Sequence, residues 1–337
     1  MFKYGLYLCC LAGLILICAC GKREMTNKDI AEAMKIVRKY DQALYLGDTQ
    51  TMLNCSNLLL SFSQKFTANG NSDNLRHLAL LRQGDAYAFL KKYEKSIQAY
   101  AKVLEEKPCF QTQLVALRNQ ILVFSMWEHY QDADNTAEKA LKLLESLRKK
   151  GWFKNAEIRK DYMRHYEIIV RLLGKSLYMQ HRYDDAEKLY LQFLSCFKSE
   201  KEMAEIIYDP SSVYYYFSKV FHGKKDSEKE LSYLRKSLLC RKDGTEVQTE
   251  LYIRLAAYAV RDKKWKDALD YCNAGMKVKP CFLDRKSKLL HYQMLEAAKE
   301  KICGLIKIEK TEKVSSPDHA VISPDLEDHL NWLLFDF

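Results

Sequence analysis

His77–Phe110 reads HLALLRQGDAYAFLKKYEKSIQAYAKVLEEKPCF, and this 34-residue stretch decides the fold. Gly84 and Ser96 are small, so two helices carrying them can approach closely. Tyr87, Tyr93 and Tyr100 are large enough to fill the space beside that crossing, and Ile97 and Leu104 extend an apolar face at helical spacing. Pro108 ends the second helix, because it lacks an N–H and disfavours helix in the residue before it. The stretch predicts two helices joined by a short turn.

Outward from it the spacing recurs. From Glu167, the matching residues are Leu173, Gly174, Tyr183, Ala186, Tyr190 and Leu194, with Leu177 where an aromatic stood. From Thr249 they are Tyr252, Leu255, Ala256, Trp265, Ala268, Leu269, Met276 and Pro280. Lys107-Pro108-Cys109-Phe110 returns as Lys279-Pro280-Cys281-Phe282, 172 residues later and close to five periods. Weaker copies begin at Leu114, with Ile121 at a normally small position, and at Ser211, which lacks the aromatic that opens the second helix. Starts at 77, 114, 167, 211 and 249 place the chief insertion at 146–166, broken at Gly151-Trp152-Phe153. Its extra length either carries function or alters curvature. Residues 26–70 read as a degenerate helical pair, opened by a capping box of Thr26 and Asp29 and broken at Gly47-Asp48. Residues 286–307 read as a last amphipathic helix that caps the stack.

These positions resemble the tetratricopeptide repeat (TPR) from about residue 26 to 309, with the array at 71–310. The resemblance implies an all-α, right-handed α-α superhelix of five to six helix pairs, with one extended core and no separate second domain. Composition agrees with an all-helical chain. Only 12 Gly and 5 Pro occur among 337 residues, about 5% against an average near 12%, too few for the turns of a sandwich, barrel or propeller. Hydrophobic residues at 48% and charged residues at 29% exclude a wholly disordered chain.

The chain starts differently. Lys3 is followed by an apolar run from Tyr4 to Ala19, too short to span a bilayer as a helix and of the length of an export signal. Leu16-Ile17-Cys18-Ala19-Cys20-Gly21 resembles the lipobox of bacterial lipoproteins, departing from it at Cys18. The resemblance implies a signal peptide at 1–19, acyl chains on Cys20 and a tether at 20–25; an ordinary signal peptide or an uncleaved anchor is the alternative. Gly21-Lys22-Arg23-Glu24 is not the acidic tether that marks surface export in Bacteroidetes-like lipoproteins, so the expected location is the cell envelope, facing the periplasm, with inner or outer membrane left open. Residues 311–337 read as a flexible acidic tail ending in Trp332-Leu333-Leu334-Phe335-Asp336-Phe337. That end fills the array's own groove, binds another protein or makes no contact.

Chemistry is scarce. No metalloprotease, phosphate-loop, dinucleotide or nucleophile-elbow motif occurs, and the eight His are scattered, so neither catalysis nor a metal or cofactor is expected. Beyond the anchor, seven Cys are spread singly and are expected as small buried hydrophobes; an exported chain permits one disulfide, with no pair singled out. The net charge of +10 comes from 54 Lys and Arg interleaved with 44 Asp and Glu, which fits solvated helix faces rather than nucleic acid. In the TPR family, positions 2, 5, 9, 12 and 13 of each first helix line a groove. Carried over, these imply a candidate peptide-binding set of Arg118, Arg171, Lys175, Tyr178, Tyr215, Lys219, His222 and Arg261, suited to an acidic or carboxylate-ended peptide. The function implied is a lipid-anchored scaffold for protein–protein interaction. Alternatives are a stand-alone relative of the sensory half of TPR-containing transcriptional regulators, or a secreted enzyme or glycan-binding protein on a helical scaffold.

Overall fold

The computed structural model describes residues 25–66, 70–150, 156–241, 248–278 and 285–312. The signal, Cys20, the break at Gly151-Trp152-Phe153, Pro280 and the tail from 313 onward lie outside the described residues. The described residues are helices and short turns. The chain divides into two compact units, the first ending at Ile207 and the second starting at Tyr208.

The first unit holds four helix pairs: α1 (Asn27–Leu46) with α2 (Thr49–Ser63), α3 (Gly70–Phe89) with α4 (Tyr93–Glu105), α5 (Phe110–Met126) with α6 (Tyr130–Lys149), and α7 (Ala156–Met179) with α8 (Tyr183–Leu194). A short α9 (Glu200–Ile206) follows. The second unit holds α10 (Pro210–Gly223) with α11 (Ser227–Leu239), α12 (Gln248–Arg261) with α13 (Trp265–Met276), and a terminal α14 (Arg285–Glu312). After α8 the extra residues form α9 and end on extended Ile207, and Asp209 and Pro210 then start α10 afresh. The insertion at 146–166 is taken up largely by long helices, 20 residues in α6 and 24 in α7.

One turn recurs in all six pairs. The residue two before each second helix is left-handed, with φ between 56° and 74°: Gly47, Lys91, Glu128, His181, Lys225 and Lys263. The next N–H then donates to the carbonyl five residues back, as in Lys92 to Tyr87, Arg182 to Leu177 and Lys264 to Ala259, at 2.7–2.9 Å. This double closure satisfies the last carbonyls of the first helix and reverses the chain within two residues. Each second helix therefore runs antiparallel to its first, and within each unit successive first helices run parallel.

In two pairs, α3–α4 and α7–α8, the crossing is closed by a glycine against a tyrosine sixteen residues later. A Cβ built on Gly84 would lie 2.5 Å from Tyr100 Cε1, and one on Gly174 would lie 2.6 Å from Tyr190 Cζ. No side chain fits there without displacing the ring. Ser96 Oγ adds a bond of 2.7 Å to the Gly84 carbonyl, so the small residue on the second helix clips the pair together as well as permitting its approach. Apolar residues then join neighbouring pairs: Leu80, Leu81, Tyr100, Val103, Val115 and Val123 form one buried cluster across α3, α4 and α5. Ile253, Ala256, Ala268, Cys272, Leu295 and Ile302 form another across α12, α13 and α14.

The cysteines divide. Cys55 and Cys272 are buried as expected, and burial pushes the Cys272 thiol up to about 11. Cys109 and Cys196 are exposed, contrary to expectation, because one precedes α5 and the other follows α8, outside the packed faces. Overpacking the tightest crossing is the direct test of this architecture. Gly174→Leu is expected to cost about 1–3 kcal/mol, seen as a lower thermal midpoint by circular dichroism; a midpoint equal to wild type would remove Gly174 from the crossing.

Candidate functional site

Buried polar residues lie where neighbouring helices meet, and in both units many of them are satisfied from within. In the first unit, Asp85 Oδ1 on α3 accepts from Tyr100 Oη at 2.7 Å and from Asn119 Nδ2 at 3.0 Å, tying α3, α4 and α5 together. Burial pushes the Asp85 carboxyl up, against the pull of Arg82 and Arg118. Arg82 is buried, lies 3.4 Å from Asp41 and stacks its guanidinium over the Tyr40 ring. Asp134 on α6 accepts from Ser176 Oγ at 2.7 Å, Gln180 Nε2 at 2.9 Å and Arg182 Nη1 at 2.8 Å, which pins the next pair.

The second unit has a denser network. Glu230 on α11 is buried and accepts from Arg254 on α12 and from His222 Nδ1 on α10 at 3.0 Å. Burial pushes its carboxyl up, but the bond from His222 and the charge of Arg254 outweigh that and hold it below the usual range. Glu250 accepts from Tyr215 Oη at 2.5 Å and lies 3.8 Å from Lys219 Nζ. Its carboxyl is likewise lowered on balance, burial opposing and Lys219 and Tyr215 prevailing.

The eight residues of the sequence-derived groove are therefore not one open set. Arg118 and Tyr215 are 4% and 1% exposed, so neither guanidinium nor phenol reaches a ligand at the surface. Both lie where neighbouring pairs press together, which an assignment by repeat position does not register. Arg171, Lys219 and His222 are partly buried, with carboxylates beside them at 3.3 Å (Glu167), 3.8 Å (Glu250) and 3.0 Å (Glu230). Tyr178 is half-buried, its ring 5.5 Å from Tyr183. Only Lys175 and Arg261 are exposed, and Arg261 lies over the Tyr258 ring and beside Asp262. Among the described residues, no cluster of three or more His, Cys, Asp or Glu is placed to hold a metal, and no helix is long and apolar enough to cross a membrane. The depressions beside Trp265 and beside Leu191 are shallow and open.

A different surface feature stands out. Tyr45, Phe89, Met126 and Met179 are the residues two before the left-handed turn residue in the four pairs of the first unit, and they are 47%, 45%, 46% and 46% exposed. In the second unit the equivalent positions are Gly223 and Arg261. α3 touches α5 and α5 touches α7, while Tyr40 Oη donates to the Arg82 carbonyl to join α1 to α3. The four side chains thus occupy the same position of their pairs, just before the turn. Reading the repeats for apolar rather than charged residues at this position was the available signal.

The paired helices, the left-handed turns and the glycine–tyrosine crossings define an all-α, tetratricopeptide-type stack. No family model matches the sequence, and neither does any curated protein. Among solved structures, a tetratricopeptide repeat protein from Parabacteroides merdae is 11% identical, with a TM-score of 0.33 over 78% of this chain and 98% of that one. NprR in complex with its cognate peptide NprX is 13% identical, with a TM-score of 0.33 over 92% and 94%. The TPR2AB domain of yeast Sti1, in a complex with pHSP90, is 13% identical, with a TM-score of 0.30 over 81% and 99%. At these values the fold assignment rests on the chain's own geometry.

Two expectations follow from the buried polar rows. His165 on α7 is buried, and burial together with the Arg118 charge lowers its imidazole from about 6.5 to about 3. The unfolded chain then takes up this proton first, so acidification favours unfolding as pH falls from about 6.5 toward 3. Denaturant titrations across that range are expected to show a shallower pH slope in His165→Phe; an unchanged slope would refute the assignment. Arg254→Met strands the buried Glu230 and is expected to cost about 3–5 kcal/mol, whereas Glu230→Leu combined with Arg254→Met costs less than the single change. Equal losses would show that the ion pair is not the source.

Proposed function

We propose that this chain is a lipid-anchored docking scaffold of a bacterial cell envelope, held to the membrane through Cys20 and binding another protein along its helix pairs. The observation that carries the docking role is the ladder of Tyr45, Phe89, Met126 and Met179. A monomeric surface scatters its exposed apolar residues, whereas here one position is apolar and half-exposed in four consecutive pairs. Helix pairs, two of them closed by glycine–tyrosine contacts, present such a surface without ordering themselves on binding, which lowers the entropic cost of association. The anchor rests on Leu16-Ile17-Cys18-Ala19-Cys20-Gly21. Two or more acyl chains hold a protein stably at a membrane where one does so marginally.

Fractionation of cells expressing the full chain tests the anchor. Cys20→Ala is expected to leave the membrane fraction and to lose incorporation of labelled palmitate; retention of both would reject lipidation. In-cell cross-linking of the wild type, read by mass spectrometry, is expected to return the same partner in independent preparations. A chain that returns none is not a scaffold.

A further inference from the structure

The folded body starts in a clamp. Thr26 caps α1, its backbone N–H donating to Asp29 Oδ2 at 2.8 Å while the Asp29 N–H donates back to Thr26 Oγ1 at 3.3 Å. Met25, just before the cap, is 7% exposed, and it and Ile30 belong to the cluster of Ala33, Leu59, Phe62 and Leu75 that joins α1, α2 and α3. A capping box flanked by such an apolar pair fixes the angle at which a chain enters its helix. Met25 is therefore part of the packed body rather than of a linker.

Only Gly21-Lys22-Arg23-Glu24 separates Met25 from Cys20. Five Cα steps span at most about 18 Å when fully extended. A body held to a bilayer at Cys20 cannot carry Met25 farther than that from the headgroups. The end of the first pair around Met25 holds the start of α1, with exposed Lys28, and the close of α2, with exposed Lys65 whose Nζ lies 5.2 Å from the Phe62 ring. The opposite end, at Gly47 and Gln50, is one α1 length away, about 30 Å for its 20 residues. That separation exceeds the reach of the tether.

Charge does not supply the contact. Lys22, Arg23, Lys28 and Lys65 are matched in number by Glu24, Asp29, Glu32 and Asp73. An end so balanced gains little from anionic lipid, so the length of the tether is what keeps it at the bilayer.

We infer that the Lys28–Lys65 end of the first helix pair is a contact surface for phospholipid headgroups, imposed by the short tether, with the Gly47 end turned toward the aqueous side. The inference rests on the reading of Cys20 as the anchor and adds which part of the stack meets the membrane.

The test uses the full chain reconstituted in vesicles that contain a lipid with a nitroxide-labelled headgroup. A fluorescent amino acid replaces Lys28, Lys65 or Gln50 in turn. Quenching is expected to be severalfold greater at 28 and 65 than at 50, in neutral and in anionic vesicles alike. Raising the salt from about 50 mM to 500 mM, which shortens the Debye length severalfold, is expected to change nothing. Inserting about 20 Gly and Ser residues after Arg23 adds roughly 25 Å of reach. That variant is expected to stay in the membrane fraction, with helicity and thermal midpoint unchanged, and to lose quenching severalfold at 28 and 65. Equal quenching at all three positions, or quenching untouched by the insertion, overturns the inference. Quenching that disappears at high salt or without anionic lipid assigns the contact to charge and overturns it as well. Palmitate labelling of the same preparations separates the two readings. A labelled chain without the quenching pattern leaves the anchor standing and overturns the contact, whereas an unlabelled chain that leaves the membrane fraction overturns both.

Discussion

Everything in this protein depends on a turn that a chain of L-amino acids does not take easily. Among the described residues the backbone passes through the left-handed region at the turn of all six pairs, and in five of the six the residue is Lys, Glu or His rather than glycine. Such a residue carries a conformational cost of order 1–2 kcal/mol, offset by the two carbonyls that the turn satisfies and by the antiparallel packing that it permits. Because reversal takes only two residues, the second helix has no freedom to choose its partner. Parallel first helices, a shared edge and a repeating surface follow from that constraint.

The packing that stabilises each pair is equally local. Gly84 against Tyr100 and Gly174 against Tyr190 place an aromatic ring directly on backbone, so these positions accept nothing larger. Between pairs the chain buries charge as well as apolar surface. Glu230, Arg254 and His222 satisfy one another, and so do Glu250, Tyr215 and Lys219. A buried pair of this kind contributes little net stability and penalises any arrangement in which either member is left alone. That penalty suits a stack whose successive pairs are similar enough to be mispaired.

What was legible in the sequence was whatever depends on residues close along the chain. The helix pairs, the small residues at the crossings, the capping box at Thr26 and Asp29 and the break at Gly47-Asp48 are all encoded within about 34 residues, because helix periodicity, capping and short turns are local physics. The candidate site was only partly legible. Repeat positions located Lys175 and Arg261 on exposed faces, but gave no sign that Arg118 and Tyr215 are buried, or that Arg171, Lys219 and His222 lie beside carboxylates.

The sequence by itself determined an all-α chain of recurring helix pairs, since helix periodicity and the short turn within each pair are local. Only the tertiary structure decided where one compact unit ends and the next begins, which charges neutralise one another, and which side chains are left over. Those outcomes depend on how helices from different pairs press together. Glu230 meets Arg254 across 24 residues, and Asp134 meets Arg182 across 48, at separations over which no periodicity in the sequence reports a contact. The exposed ladder belongs to the same class. Each of its residues is an ordinary helix end in its own repeat, and becomes a surface only when four repeats are stacked in parallel.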